Sequence, residues 1–390
     1  MVNYAVLGLG LMGSALCYDL LIHDPTSQVY GFDKEPKQRE KQKLKLKIFE
    51  KRFHVDNLDL NDKTQHTLKQ VLIENEIAVV FGAVDYRFNF GLTKICIESG
   101  CSFVDLGGNP SVVQKQQGMD KEAKQAGVTI IPDLGLAPGM VNIVAAHGMR
   151  KFDSLEECHL RVGGLPQEPK TILNYQQVFA IRGLTNEYLE DARIIKDRKL
   201  KIIPSLTDVE KISFPEPWGE LEAFNTSGGT SSLPELFEGS IKQLTYKTIR
   251  FPGHAQFFSF LKEFGLLSNE DFPPNPGVTP REVVEYYLVK NLPQNQLDAV
   301  LARITILGKI NNQVRTHVYQ LIDLYDTKAE FSAMARTTAF PTSIIGQFIA
   351  HGQIKTHGVL KGEEYVPASA LIDELEKRNI KFEFIEYQEK

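Results

Sequence analysis

Gly8, Gly10 and Gly13 stand in GLGLMG, a G-x-G-x-x-G spacing that follows an apolar strand-like run and precedes a helical one. In that setting the first glycine permits a tight turn and the second lets the backbone approach a pyrophosphate. The third lets helix and strand pack closely, while the helix N-terminus receives the anion. Leu11 and Met12 complete the loop. Asp33 closes the next strand-like run, QVYGFD, 20 positions after Gly13. At that spacing a carboxylate accepts hydrogen bonds from ribose hydroxyls. A dinucleotide site is therefore expected. A carboxylate there repels the extra phosphate of NADP and favours NAD, although Lys34, Lys37 and Arg39 are near enough in sequence to accommodate that phosphate. Asp59 and Leu60 fall where adenine contacts are expected, or form a plain strand end.

Ligands of an open parallel sheet gather beyond the carboxyl ends of its strands. Three such ends stand out: FGAVDYR with Ala83 and Val84, VDLGGN with Gly107 and Gly108, and PDLGLAPG with Asp133. Their glycines let the chain approach a flat ring. Asp133 is a carboxylate at the expected nicotinamide pocket, or the cap of the helix that follows. Further along, Thr226, Ser227 and Gly229 in TSGGTSS gather hydroxyls and backbone donors on a glycine turn suited to a carboxylate. A solvent-facing hairpin would use the same residues, and the Gly163-Gly164 turn is equally ambiguous. In KTIRFPGH, Arg250 carries the planar fork that holds a carboxylate through two bonds, or makes a structural ion pair. His254 is a base, a ligand contact or a satisfied core histidine. No metal-ligand spacing and no G-x-S-x-G nucleophile motif occur, so no metal is expected.

The elements that must position these residues are legible as alternating patterns. Short apolar runs and helical stretches alternate through the first ~130 residues, which favours a parallel sheet covered by helices. Later, SLEECHLRVGGLP, LKIIPSLTDVEKISF, ELEAFNTSGGTSS, KQLTYKTIRFPGH and ARITILGKINNQVRTHVYQLIDLY resemble long strands. The fold class expected is α/β: a Rossmann doubly wound parallel sheet plus a second α/β domain with a mixed, largely antiparallel sheet. Residues 1–132 form the dinucleotide domain, with 331–365 packing back on it. Residues 133–330 form a substrate-binding and oligomerisation domain, and 366–390 add a helix and a strand of open assignment. A chain of 390 residues has room for two such cores. Its net charge of −5 gives no reason to expect a nucleic-acid partner. The basic run from Lys34 to Arg52 is interspersed with glutamates and reads as a solvated helix face. The four cysteines include no C-x-x-C and read as reduced thiols. No membrane-length apolar run and no signal peptide are evident, which points to the cytoplasm.

Taken in order, GLGLMG, GAVDYRFN, DLGGNP, DLGLAPGMVN, RVGGLP, EAFNTSGGTSSLP, YKTIRFPGH and ARTTAFP resemble the saccharopine dehydrogenase superfamily, and within it the lysine 6-dehydrogenase branch. Saccharopine-forming reductases of the superfamily carry an acid where this chain has Ala137 and a cysteine where it has Val162. Those two departures lean the reading towards free lysine. The resemblance implies oxidative deamination: the ε-carbon of L-lysine gives a hydride to NAD, and hydrolysis yields α-aminoadipic semialdehyde and ammonia. The semialdehyde then cyclises to a piperideine carboxylate. It also implies roles for Asp133, Tyr86 and His254 near the reacting carbon, and for Arg250, Thr226, Ser227, Gly229 and Gly164 around the rest of the amino acid. A homodimer or higher homo-oligomer is expected. The alternatives are a reductase joining an amine to an oxo-acid, as in saccharopine or carboxynorspermidine synthesis, and a non-catalytic dinucleotide-binding sensor or scaffold.

Overall fold

The computed structural model describes residues 1–60, 65–272, 274, 276–294 and 296–388. Its first strands are β1 (Asn3–Leu7), β2 (Gln28–Asp33), β3 (Phe53–Asn57), β4 (Val79–Gly82), β5 (Ser102–Asp105) and β6 (Thr129–Ile131). There follow β7 (Ser154–Pro166), β8 (Ala192–Lys196), β9 (Lys199–Ile203), β10 (Glu210–Phe214), β11 (Gly219–Asn225) and β12 (Gln243–Arg250). The last are β13 (Asp298–Ile310), β14 (Gln313–Leu324), β15 (Gly358–Val359) and β16 (Glu383–Gln388). Two compact units result: Met1–Ala146 with Ala335–Ile380, and His147–Met334 with Lys381–Lys390.

The first unit is a parallel sheet in the order β15-β6-β5-β4-β1-β2-β3. Its central strands are apolar because helices cover both faces, and all of Val79–Gly82 is buried. β3 lies at the sheet edge, where polar His54 and Asp56 interrupt its apolar pattern, and it ends at Asn57, before the strand end that the sequence suggested at Asp59 and Leu60. The unit runs past the boundary expected at 132 for a local reason. The Leu134 carbonyl accepts the Thr342 hydroxyl at 2.5 Å, and a Cβ on Gly362 would stand 3.0 Å from Leu134 and 3.5 Å from Ile143. The returning chain stays with this unit beyond residue 365, where Arg378 meets the buried Asp19 carboxylate at 2.7 Å.

The second unit is a mixed nine-stranded sheet, with the path β10-β11-β12-β7-β13-β14-β16 and β8 and β9 joined to β12. Among the described strands of this sheet, only β12 and β7 run parallel. Two apparent long strands are broken. LKIIPSLTDVEKISF divides into β9 and β10 across Pro204, with Leu206 and Asp208 left-handed at φ 66 and 53. The longest run folds back as the β13–β14 hairpin, where Asn311 and Asn312 take φ 52 and 62, the twist that a two-residue hairpin turn requires. The helices Ile181–Leu189, His254–Glu263 and Pro280–Asn291 were not apparent from the sequence.

Strand alternation then sorts the chemistry. Along β12, Tyr246, Thr248 and Arg250 point to one face of the sheet and Thr245 and Lys247 to the other. Among the described residues, no helix is long and apolar enough to cross a membrane, and no group of three or more His, Cys, Asp or Glu side chains is arranged to hold a metal. All four cysteines are buried free thiols.

Candidate active site

In the first unit the glycine loop is built by close approach. A Cβ on Gly13 would lie 1.7 Å from the Gly8 carbonyl, and one on Gly8 would lie 2.5 Å from the Ala83 carbonyl and 2.9 Å from Val84. Gly8, Gly13, Ala83 and Val84 are thus brought together. Gly10 differs: nothing lies within 4 Å of its absent side chain. It precedes the Leu11–His23 helix, whose N-terminus has no side-chain cap. Leu11 is exposed and Met12 half-buried at that terminus. The open Gly10, close-packed Gly8 and Gly13, and uncapped N–H groups fit a pyrophosphate.

Asp33 ends β2 beside this loop, accepting from the Leu9 N–H at 2.7 Å and the Glu35 N–H at 2.8 Å. Each carboxylate oxygen keeps acceptor capacity for a ribose hydroxyl. Arg39 is already engaged, its Nη1 donating to the carbonyls of Asp33 and Lys34 at 2.8 and 2.9 Å and to Asn57 Oδ1 at 2.9 Å. Asp59 is exposed, and Leu60 packs against the apolar core.

The remaining strand ends converge on Gly107 and Gly108. A Cβ on Gly107 would stand 2.2 Å from Asp133 Oδ1, and one on Gly108 would stand 3.3 Å from the Tyr86 side chain. Asp133 and Tyr86 therefore flank the same two glycines. Asp133 is half-buried, left-handed at φ 62, and lies outside the following helix, which begins at Met140. Asp105, which sequence reading missed, arranges this corner. Its Oδ1 accepts the N–H of Gly107 at 2.8 Å and of Asp133 at 3.3 Å, and its Oδ2 accepts Gln116 Nε2 at 2.7 Å. Burial pushes its carboxyl above the usual range, against these bonds.

In the second unit, Arg250 ends β12 and is buried. Its Nε donates to the Tyr188 hydroxyl at 3.1 Å and its Nη1 to the Ile249 carbonyl at 2.9 Å, while the guanidinium lies 5.0 Å from the Tyr175 ring centroid. Tyr188 and His254 Nε2 are 3.0 Å apart, and His254 Nδ1 is 3.1 Å from the Leu173 carbonyl. A carbonyl only accepts, so Nδ1 bears the proton and Nε2 takes one from Tyr188. The direction of the chain follows: Arg250 to Tyr188, Tyr188 to His254, His254 to Leu173. Burial, helped by Arg250, pushes His254 down to about 3, so the ring is neutral. Glu222 secures the turn beneath, accepting the N–H groups of Gly253 at 2.8 Å and Ala255 at 2.7 Å.

The TSGGTSS turn meets the same cluster. Thr226 and Thr248 share a 2.7 Å hydroxyl bond, and the Ser227 N–H donates to the Glu187 carbonyl at 3.0 Å. A Cβ on Gly229 would stand 2.3 Å from the Tyr246 ring. Gly164 instead allows the Met334 methyl to approach, its missing Cβ lying 2.4 Å from it. Arg250, His254 and Ser227 are linked through the Ile181–Leu189 helix, whose Glu187 and Tyr188 the sequence reading missed, and Thr226 joins β12 through Thr248. Glu187 is half-buried, and burial pushes its carboxyl up to about 7, against the pull of Arg250. Elsewhere on the sheet lies a cavity of about 500 Å³ whose basic residues include Arg161 and Lys247. Arg161 pairs with Glu210, and Lys247 pairs with Asp208 at 2.8 Å and Glu210 at 2.7 Å, so these cations are already matched.

The parallel sheet, glycine loop and ribose-side carboxylate define the first unit as a nicotinamide-dinucleotide-binding domain. Residues 4–131 match the saccharopine dehydrogenase NADP binding domain and residues 135–380 the saccharopine dehydrogenase C-terminal domain; the chain belongs to the saccharopine dehydrogenase family. It is 24% identical over 262 residues to the NADP(+), L-glutamate-forming saccharopine dehydrogenase of Pyricularia oryzae, covering 63% of this chain and 54% of that protein. The corresponding Saccharomyces cerevisiae enzyme is 22% identical over 376 residues, with 78% and 82% covered. The chain thus spans about half the length of the first relative and most of the second. The apo structure of the L-Glu-forming Saccharomyces cerevisiae enzyme superposes with a TM-score of 0.81 at 17% identity, covering 99% of this chain and 100% of that one. Homospermidine synthase from Legionella pneumophila, in complex with NAD, gives 0.69 at 15% identity, covering 100% and 91%.

Proposed function

We propose that the protein is an NAD-dependent amino-acid dehydrogenase that oxidatively deaminates the ε-amine of L-lysine. Lysine, water and the oxidised dinucleotide give α-aminoadipic semialdehyde, ammonium, the reduced dinucleotide and a proton. The observation that carries this reading is the supply of open cations in the second unit. Of its buried cations among the described residues, Arg161 and Lys247 are paired as described and Arg281 meets Glu285 at 2.7 Å, which leaves Arg250. One open guanidinium suits a substrate with one carboxylate, whereas a saccharopine-type adduct brings three. The apolar Ala137 and buried Val162 support the same choice.

The glycine loop and Asp33 would hold the dinucleotide, which supplies the hydride acceptor. Asp33 supports NAD, because a second anion beside it is unfavourable and Arg39 is committed to other acceptors. The ε-amine, with an ordinary pKa near ~10.4, must lose a proton before hydride can leave. Asp133 would receive the ammonium and later orient the hydrolytic water, and Tyr86 would relay the proton. A carboxylate alone stabilises the cation, so Asp133 cannot complete this step by itself. His254 orients Tyr188 and Arg250. A homodimer through the second sheet is also proposed, supported by Ile322, Leu324 and Tyr387, exposed on one face of β14 and β16; light scattering of the eluted protein tests it.

The deciding experiment follows reduced nicotinamide and ammonia with L-lysine, supplying NAD and NADP separately. Equal yields of both products with NAD support the proposal. Turnover only of saccharopine, or of an amine together with an oxo-acid, replaces it with the coupling reaction that the names of the relatives favour.

A further inference from the structure

Glu187 and Arg250 make an unusual pair. Both belong to one buried cluster, and the charge of Arg250 acts on the Glu187 carboxyl, yet they form no ion pair. Arg250 is held in place by its bonds to Tyr188 and Ile249. Glu187 is held by its own backbone: it lies in the helical turn of Tyr188, and its carbonyl receives the Ser227 N–H. Among the described residues nothing donates a hydrogen bond to the Glu187 carboxylate or accepts one from Arg250 Nη2. An acid and a base therefore act on one another within one cluster, Arg250 held through its guanidinium and Glu187 through its backbone, with the Glu187 carboxylate and Arg250 Nη2 left for a ligand. Separately buried charges are costly and are compensated best by groups of opposite sign.

We infer that Glu187 and Arg250 form the head-group site for a free α-amino acid, Arg250 binding the α-carboxylate and Glu187 the α-ammonium. A zwitterion meets both requirements, since it brings the anion to the guanidinium and the cation to the carboxylate. A dicarboxylate would leave Glu187 facing a like charge, and a diamine would leave Arg250 unmatched. The flanking groups do not substitute for the ligand. Tyr175, Tyr188 and Tyr246 are buried phenols whose pKa burial raises, His254 is neutral, and Glu222 is committed to its turn. The choice of lysine rests on the function proposed above; the head-group site itself requires only an α-amino acid.

The test is calorimetric binding to the intact protein, with two ligand pairs that differ only in the α-amine: L-lysine against ε-aminocaproate, and L-glutamate against glutarate. Wild type should favour the amino acid of at least one pair by roughly tenfold, as expected for a charge-assisted hydrogen bond. In Glu187→Gln that preference should vanish. Near neutral pH the amino acid should also displace a proton from wild type, seen as a dependence of the heat on the buffer, and not from the variant. The wild-type measurements stand even if the variant does not fold. Equal affinity within both pairs, or a preference unchanged in Glu187→Gln, overturns the head-group site. If the preference behaves as stated but lysine is not oxidised, the lysine assignment falls and the site remains. If lysine is oxidised without the preference, the site falls and the reaction remains.

Discussion

Replacing Glu187 by glutamine should stabilise the protein in mildly alkaline solution and leave it nearly unchanged in acid. The carboxyl has an ordinary value of 4.5 and sits at about 7 in the folded chain, so the folded state holds this proton more tightly than the unfolded state. Below pH 4.5 both states are protonated and the group costs nothing. As pH rises from 4.5 to 7 the unfolded chain loses its proton first, stability declines, and above 7 the loss is complete. At about 1.4 kcal/mol per pH interval this would approach ~3 kcal/mol. Water still reaches the half-buried side chain, which reduces the figure to about 1–2 kcal/mol. Glutamine cannot ionise and avoids the penalty. The melting temperature of Glu187→Gln at pH 8 should exceed that of wild type by roughly 2–8 °C, given about 2–4 °C per kcal/mol for a unit of this size. The difference should be close to zero at about pH 4, below both values. Thermal unfolding followed by circular dichroism at the two pH values measures it. A variant less stable than wild type at pH 8, or shifted equally at both, would refute the claim that Glu187 is an uncompensated carboxylate.

Gly13→Ala should abolish dinucleotide binding in a fluorescence titration and cost on the order of 3 kcal/mol, because its Cβ would fall 1.7 Å from the rigid Gly8 carbonyl. Gly107→Ala should lower kcat at least about 100-fold with nucleotide affinity largely kept, since its Cβ must displace Asp133 by overlapping Oδ1 at 2.2 Å; steady-state kinetics decide this. Tyr188→Phe removes the acceptor of Arg250 Nε and the donor to His254. It should raise KM for lysine roughly tenfold with kcat little changed and cost about 1–3 kcal/mol of stability.

The legible parts of this molecule are those whose signal is local. GLGLMG lies between an apolar strand and a helix within 23 residues, and Asp33 ends the very next strand. The second sheet showed in its β-branched runs, but its reversals did not. Asn311-Asn312 marks a turn only once strand pairing shows that the chain folds back there. Arg250 and the TSGGTSS turn were visible as residue types suited to an anion; their partners were not. Tyr188 meets Arg250 across 62 positions and His254 across 66, and the Ile181–Leu189 stretch carries no motif that announces such contacts. Asp105 stayed hidden for a different reason. It was visible within VDLGGN, but a strand-end aspartate does not reveal which backbone N–H groups it will receive.

Burial of an acid does not distinguish a functional carboxylate from a structural one here; hydrogen-bond satisfaction does. Asp105 is fully buried with its carboxyl raised, yet it receives three N–H groups and fixes a corner of the backbone. Asp298 is equally buried and accepts the N–H groups of Ala333 at 2.7 Å and Met334 at 3.0 Å, fixing the backbone at the end of its own unit. Glu222 does the same for the turn before His254. In each case backbone donors compensate desolvation, and folding itself accounts for the residue. Glu187 is desolvated without such compensation, although a neighbouring guanidinium is held too firmly to turn towards it. Folding alone gives no reason to retain that cost at residue 187, whereas a ligand bearing an ammonium and a carboxylate removes it on binding. The imbalance is thus greatest in the empty protein, and relieving it favours the α-amino acid over analogues of the same length that lack the α-ammonium.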